Sequence, residues 1–268
     1  LTLFLNERFA RLWQRRDPFT EVLALDGLEY RNKEGRRTFQ LSIDGHSYFA
    51  KVHRGVGWAE IIKNLLHLRL PIIGASNEYY AANKLAALQV DTLTPVAFGK
   101  RGLNPARQLS FILTEDLVNT VSLEDYCAHW RQCPPSFTHK RALIKLLASV
   151  SRRMHGAGIN HRDYYICHFL LHRESIATPA APRCSLIDLH RAQLRRRTPR
   201  RWAEKDIAGL YFSAMDIGLT QRDLLRFMCG YEGVQSIREL DYSTGFWSKV
   251  QQKALALYRK EQPERDPT

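Results

Sequence analysis

The chain has 268 residues, 44% of them hydrophobic and 10% aromatic, enough to bury a core in one large domain or two lobes and too apolar for wholesale disorder. Its 40 Lys and Arg against 27 Asp and Glu leave a net charge of +13, which favours anionic partners: nucleic acid, phosphorylated glycolipid, anionic membrane or an acidic protein. The five cysteines (Cys127, Cys133, Cys167, Cys184, Cys229) include no Cys-x-x-Cys pair, so neither a zinc ribbon nor a disulfide framework is indicated, and a reduced cytosolic setting fits best.

The opening LTLFLNERFARLW is interrupted by Glu7 and Arg8, too short an apolar run for a signal peptide. No later window approaches the roughly 18 apolar residues of a spanning helix, so a soluble or surface-attached protein is expected. Residues 28–55 alternate apolar and polar positions around Lys33-Glu34-Gly35 and Asp44-Gly45, which predicts strand, turn, strand, turn, strand. Residues 58–70, WAEIIKNLLHLRL, have helical spacing and stop at Pro71. A second helix is expected over 78–90, with Ser76 and Asn77 as caps. TPVAFGKRG and QLSFILTEDL read as two more strands, giving a small sheet with one or two helices.

From about Ser122 the pattern turns helical. Residues 139–159 put Leu143, Leu146, Leu147, Val150 and Met154 on one stripe that Gly156 and Gly158 end. RESIATPAAPR (173–183) reads as a polar loop, CSLIDLH (184–190) as a short buried strand, and residues 202–218 as a helix with at least two more behind it. The fold class expected is α+β, a sheet-rich first lobe over 1–117 and a larger helical second lobe over 118–268.

His161-Arg162-Asp163 follows the long helix and a glycine-marked turn. That order matches the catalytic-loop signature of protein kinases, whose Asp takes the proton of the attacking hydroxyl. A lone tripeptide is weak, so its partners decide. Lys51 lies in the apolar third strand, where kinases hold the α- and β-phosphates; alone, it reads as well as a snorkelling edge-strand lysine. Glu78 heads the following helix and can pair with Lys51, or simply favour the helix dipole. Asp188 ends an apolar strand where a kinase's Asp-Phe-Gly motif holds magnesium, or caps a turn. Four residues in that order on those elements favour the kinase reading. A metal site from His155, His161, His168, His172 and Cys167 lacks paired ligand spacing.

The runs DPFTEVLALDG, FAKVHRGVGW, LPIIGASNEY, NHRDYYICHFLLH, LIDLHRAQLRRRTPRRW and KDIAGLYFSAMDIGLTQRD resemble the bacterial lipopolysaccharide core heptose(I) kinase family over nearly the whole chain, thinning after about Arg238. The resemblance implies a bilobal protein-kinase-like fold, transfer of the ATP γ-phosphate to the first heptose of the lipopolysaccharide inner core, Mg²⁺, and a place on the cytoplasmic face of the inner membrane. It assigns catalysis to Asp163 and Arg162, nucleotide contacts to Lys51, Glu78, Gly35 and Glu115, and the metal to Asp188 and His168. The chain departs from ordinary protein kinases in three ways. RNKEGRR stands where a glycine-rich loop would cover the phosphates, Asp-Leu-His replaces Asp-Phe-Gly, and His168 replaces the second metal-binding asparagine. Imidazole is a poor magnesium ligand.

Arg191, Arg195, Arg196, Arg197, Arg200 and Arg201 crowd the stretch after Asp188, where arginine forks suit the phosphates of lipid A and the carboxylates of Kdo; part of such a run is ordinarily a solvated face. Nucleic-acid binding is disfavoured, because no recognised module accompanies the charge. The apolar insertion 58–73 reads as a core helix, or as a surface for acyl chains, membrane or an acidic partner such as an acyl carrier protein. Asp206 is expected to brace the catalytic loop. The alternatives to a heptose kinase are a protein kinase acting on Ser, Thr or Tyr hydroxyls and a non-enzymatic basic anion-binding protein.

Overall fold

The computed structural model describes residues 1–33, 35–55, 57–66 and 74–261. Two compact units emerge: residues 1–84 with 93–118 and 189–191, and residues 85–92 with 119–188 and 192–268.

The first unit opens with β1 (Thr2–Leu5), α1 (Glu7–Leu12) and α2 (Pro18–Ala24). Asn6 caps α1, its side chain accepting from the Phe9 N–H, and Pro18 starts α2 at a position where no amide donor is needed. Then come β2 (Leu28–Lys33), β3 (Arg36–Ile43), β4 (His46–His53), α3 (Gly57–Leu66), α4 (Ser76–Ala87), β5 (Pro95–Arg101) and β6 (Leu109–Glu115). The β3–β4 turn is Asp44-Gly45, both residues at positive φ (49° and 75°), the backbone twist a two-residue hairpin favours. The six strands form one antiparallel sheet in the order β1-β5-β6-β4-β3-β2.

Both faces of this sheet are covered. Phe9 and Trp13, with Phe19 and Val22 of α2, pack against Phe39, Tyr48, Ala50, Val52, Phe111 and Leu113. Gly99 leaves the room for the Phe19–Phe111 edge contact, since a Cβ there would lie 2.4 Å from the Phe111 ring. On the opposite face Ala75 and Tyr79 pack on Phe98 and Ile112, which sets α4 over the face that carries Lys51.

The second unit contains β7 (Thr120–Ser122), α5 (Leu123–Cys127), α6 (Phe137–Gly156), β8 (Ile159–Asn160), β9 (Phe169–His172), β10 (Cys184–Leu186), β11 (Gln193–Leu194), α7 (Arg200–Ser213), α8 (Gln221–Glu232) and α9 (Phe246–Glu261). Helix α6 packs on α8 and α7 on α9, with small sheets β10-β9-β7 and β11-β8 beside them. A Thr220–Asp223 capping box starts α8 and left-handed Gly233 ends it. An apolar cavity of about 430 Å³ lies among α5 to α9, lined by Leu143, Leu147, Ile207, Leu210, Leu224 and Val250 among others. No helix among the described residues is long and apolar enough to cross a membrane.

The sequence expectations hold for β2 to β6 and for α6. Four differences stand out. The described residues of the first unit include four helices rather than one or two. The helix expected over 58–70 is seen as 57–66, and its expected stop at Pro71, like the Glu34 position in the β2–β3 turn, lies outside the described residues. The helix expected over 78–90 ends at Ala87, ahead of left-handed Gln89. The strand expected over 184–190 stops at Leu186, because Asp188 takes φ 61° and leaves the extended region.

Candidate active site

In the first unit Lys51 projects from β4 between Thr38 of β3 and Ile112 of β6. Its ammonium lies 2.6 Å from Glu78 Oε1 in the first turn of α4. Glu78 is 1% exposed, and the lysine side chain keeps 24% exposure. Gly35 closes the β2–β3 turn at φ 72°, where a Cβ would fall 2.4 Å from the Gly55 carbonyl; its own carbonyl accepts from the Arg54 N–H at 2.8 Å. Glu115 is exposed at the end of β6. Arg191 belongs to the 3₁₀ turn Leu189–Arg191 of this unit.

Buried His53, two residues beyond Lys51 on the same face of β4, is an addition to the sequence reading. Burial pushes its imidazole down to about 3, and the charges of Arg36, Lys51, His190 and Arg31 act in the same direction. It is neutral at physiological pH.

In the second unit the catalytic-loop triplet follows β8. Asp206 of α7, 1% exposed, accepts from the backbone N–H of His161 at 2.6 Å and of Arg162 at 2.9 Å. This clamp holds Arg162 at φ 79°, a left-handed conformation that a side chain rarely adopts without such support. His155 also reaches Asp206, at 3.3 Å. The fully buried His161 donates from Nε2 to the Ile187 carbonyl at 2.9 Å, tying the triplet to the residue before Asp188. Burial pushes the His161 pKa down against the pull of Asp206.

His168 links the Asp163 backbone to the Asp188 carboxylate. Its Nδ1 donates to the Asp163 carbonyl at 2.7 Å, and its Nε2 lies 3.5 Å from Asp188 Oδ2. Burial opposes a charge on this ring, but hydrogen bonds to Cys167 and the Asp163 carbonyl, with the charges of Cys167 and Asp188, outweigh it and raise the pKa to about 9. Asp163 is half-buried, and Asp188 keeps 31% side-chain exposure. The structure therefore gathers Asp163, His168 and Asp188 in one unit and Lys51 with Glu78 in the other. His172, from the rival histidine grouping, is engaged by Ser185.

The arginine run divides. Arg195 bonds Asn160 and Gln193, and Arg200 bonds Glu204 and the Thr244 carbonyl, whereas Arg196, Arg197 and Arg201 are exposed. Trp202, read in the sequence only as the start of a helix, has Arg162, Arg195, Arg201 and Lys205 around its ring. The Arg201-Trp202 step and the i,i+3 spacing to Lys205 were the available signal.

A lipopolysaccharide kinase (Kdo/WaaP) family model matches residues 20–231. The lipopolysaccharide core heptose(I) kinase WaaP of Pseudomonas aeruginosa PAO1 is 51% identical over 263 residues, covering 98% of each chain. The protein of that name from Escherichia coli K12 is 48% identical over 258 residues, covering 96% of this chain and 97% of its own. A solved structure of WaaP in complex with acyl carrier protein matches with a TM-score of 0.84 and 47% identity, covering 96% of this chain and 100% of that one. With these likenesses spanning both units, and with the loop clamp and lysine–glutamate pair of a kinase-like fold, the chain belongs to the lipopolysaccharide kinase (Kdo/WaaP) family.

Proposed function

We propose that this protein phosphorylates the first heptose of the lipopolysaccharide inner core, using ATP. The observation that carries the reading is the clamped loop that presents Asp163, linked through His168 to Asp188, in a chain about half identical to curated heptose(I) kinases. Phosphoryl transfer needs positioning and charge neutralisation more than covalent chemistry. Asp163 orients the heptose hydroxyl and accepts its proton, and Arg162 fixes the loop that carries it. Lys51, aimed by Glu78, grips the phosphates, with Gly35 and Glu115 contributing to the nucleotide contacts.

A magnesium ion fits Asp188, an accessible carboxylate on a sharply turned backbone and a hard oxygen donor. Bound there, it supplies neutralisation of phosphate charge. Imidazole is a poor magnesium ligand, and His168 Nε2 lies 3.5 Å from Asp188 Oδ2, so its role in this reading is to steer the Asp188 carboxylate rather than to ligate metal.

Arg191 and the exposed Arg196, Arg197 and Arg201 face the anionic acceptor, while Arg195 and Arg200 also brace the fold. An acyl carrier protein is the partner we infer: the net charge of +13 suits an acidic protein, and the apolar cavity of about 430 Å³ has room for a tethered acyl chain. The working place is the cytoplasmic face of the inner membrane, bound peripherally.

Labelled ATP offered with heptosylated lipopolysaccharide or with protein tests the reaction. Label in the glycolipid, lost in Asp163→Ala, is expected. Label in protein alone favours the protein-kinase alternative, and binding without transfer favours a basic anion-binding protein.

A further inference from the structure

Four cations stand around the Trp202 indole: Arg201 at 5.4 Å, Lys205 at 5.6 Å, Arg162 at 5.7 Å and Arg195 at 6.0 Å from the ring centroid. Each is attracted to the ring by a cation–π contact, yet like charges this close repel one another. The Trp202 Nε1–H is buried with no hydrogen-bond partner among the described residues. Glu204, the acid between Trp202 and Lys205 in sequence, is engaged by Arg200 and Lys253.

Arg195 is also held in place. The Arg195 amide donates to the Gly158 carbonyl at 2.8 Å, and a Cβ on Gly158, at φ 80°, would fall 2.1 Å from the Arg195 carbonyl. Strand β11 pairs Gln193 with Asn160, one residue before the catalytic triplet. The Arg195 guanidinium bonds both of those side chains. Helix α7 begins at Arg200 with no side-chain cap and no acid in its first turn, so its positive end adds to the same field. Clustered cations, one of them held by the fold, are what an oxyanion selects.

We propose that Trp202, Arg162, Arg195, Arg201 and Lys205 form a seat for an oxyanion of the acceptor, a phosphate or a sugar-acid carboxylate, that registers the acceptor hydroxyl against Asp163. This rests on the heptose-kinase reading and deepens it. It adds Trp202 and Lys205 to the acceptor contacts and leaves Arg200 outside the seat.

The test uses the full chain with Arg201→Gln and Lys205→Gln combined, both exposed positions, and folding verified by thermal melt. The KM for heptosylated Kdo-lipid A should rise at least about tenfold, the loss of one charged contact or more, with the ATP KM within about twofold. Repeating the assay with acceptor stripped of its lipid A phosphates identifies the anion. If the seat takes phosphate, the parent falls to the level of the variant; if it takes carboxylate, the variant keeps its full deficit. Unmoved acceptor KM, or parallel movement of both constants, overturns the seat.

A second measurement is independent of turnover. The fluorescence of Trp202, taken as parent minus Trp202→Phe, should change on titration with the same acceptor and not with ATP. A parent that transfers no phosphate but shows this change sinks the heptose-kinase reading and keeps the seat. An unchanged difference signal sinks the seat.

Discussion

Lys51 and Glu78 form an asymmetric pair: the glutamate is 1% exposed, and the lysine 2.6 Å away keeps 24% of its side chain open to solvent. Removing the lysine strands a carboxylate in the interior, whereas removing the glutamate leaves a cation that reaches water. Lys51→Ala should therefore cost about 3 kcal/mol of stability besides its effect on ATP use. Glu78→Gln should melt closer to the parent and mainly raise the ATP KM. Urea melts and initial rates on both variants separate the two effects; equal melting losses contradict the asymmetry.

Asp206 uses both carboxylate oxygens on backbone donors, Oδ1 on Arg162 and Oδ2 on His161. An asparagine offers one acceptor and turns an N–H toward another N–H. Asp206→Asn should lose about 1.5–3 kcal/mol and most of kcat, since the left-handed Arg162 is no longer held. Retained kcat in the folded variant would separate the clamp from catalysis.

The division of the arginine run predicts opposite phenotypes. Arg196→Gln with Arg197→Gln should leave the melt unchanged and raise acceptor KM in a way that added salt diminishes. Arg195→Gln should lower the melting temperature as well, since it bonds Asn160 and Gln193.

His53 gives stability a pH dependence whose sign is fixed. Its folded pKa is depressed to about 3, below the ordinary value of about 6.5. The unfolded chain thus takes up a proton that the folded chain refuses. The stability from neutral His53 is full above about pH 6.5 and falls by about 1.4 kcal/mol per unit below it, until pH approaches 3. Urea titrations at pH 7.5 and 5.5 should show the parent losing about 1.4 kcal/mol more than His53→Leu; identical losses would assign the dependence elsewhere.

The apolar cavity sets substitutions on its wall against ligand binding. Ala214 lines it and is buried. Ala214→Leu should stabilise the ligand-free protein by about 1 kcal/mol through filled volume. The same change should reduce the thermal shift caused by long-chain acyl ligands, which act only through binding to the folded state.

Much of this was readable because local chemistry fixed it. Asp44-Gly45 sets the β3–β4 register, and the residue order Lys51, Glu78, Asp163, Asp188 by itself carries the kinase-like reading. What was hidden depended on distant partners. The first five residues look like a stray apolar run until Lys100 and its neighbours pair with them. The stripe of Leu143, Leu147 and Val150 signals burial but not the void beside it, because periodicity reports a face and not what fills it. Trp202 lay inside a charge run, where its ring contacts had no periodic signature. His168 showed as a replacement for asparagine, yet its link from the Asp163 carbonyl to Asp188 needed the turn Ile166–His168 to bring it there.

Strand β1 imposes an order on synthesis. Thr2 pairs with Lys100 and Leu5 with Ala97, so β1, once it has left the ribosome, waits for a partner made roughly a hundred residues later, several seconds at about 5–20 residues per second. During that interval Leu3 and Phe4 travel with an unsatisfied backbone edge, a template for pairing with another nascent chain. Placing β1 beside β5 therefore makes that interval, rather than the finished protein, the stage at which this strand is most open to mispairing.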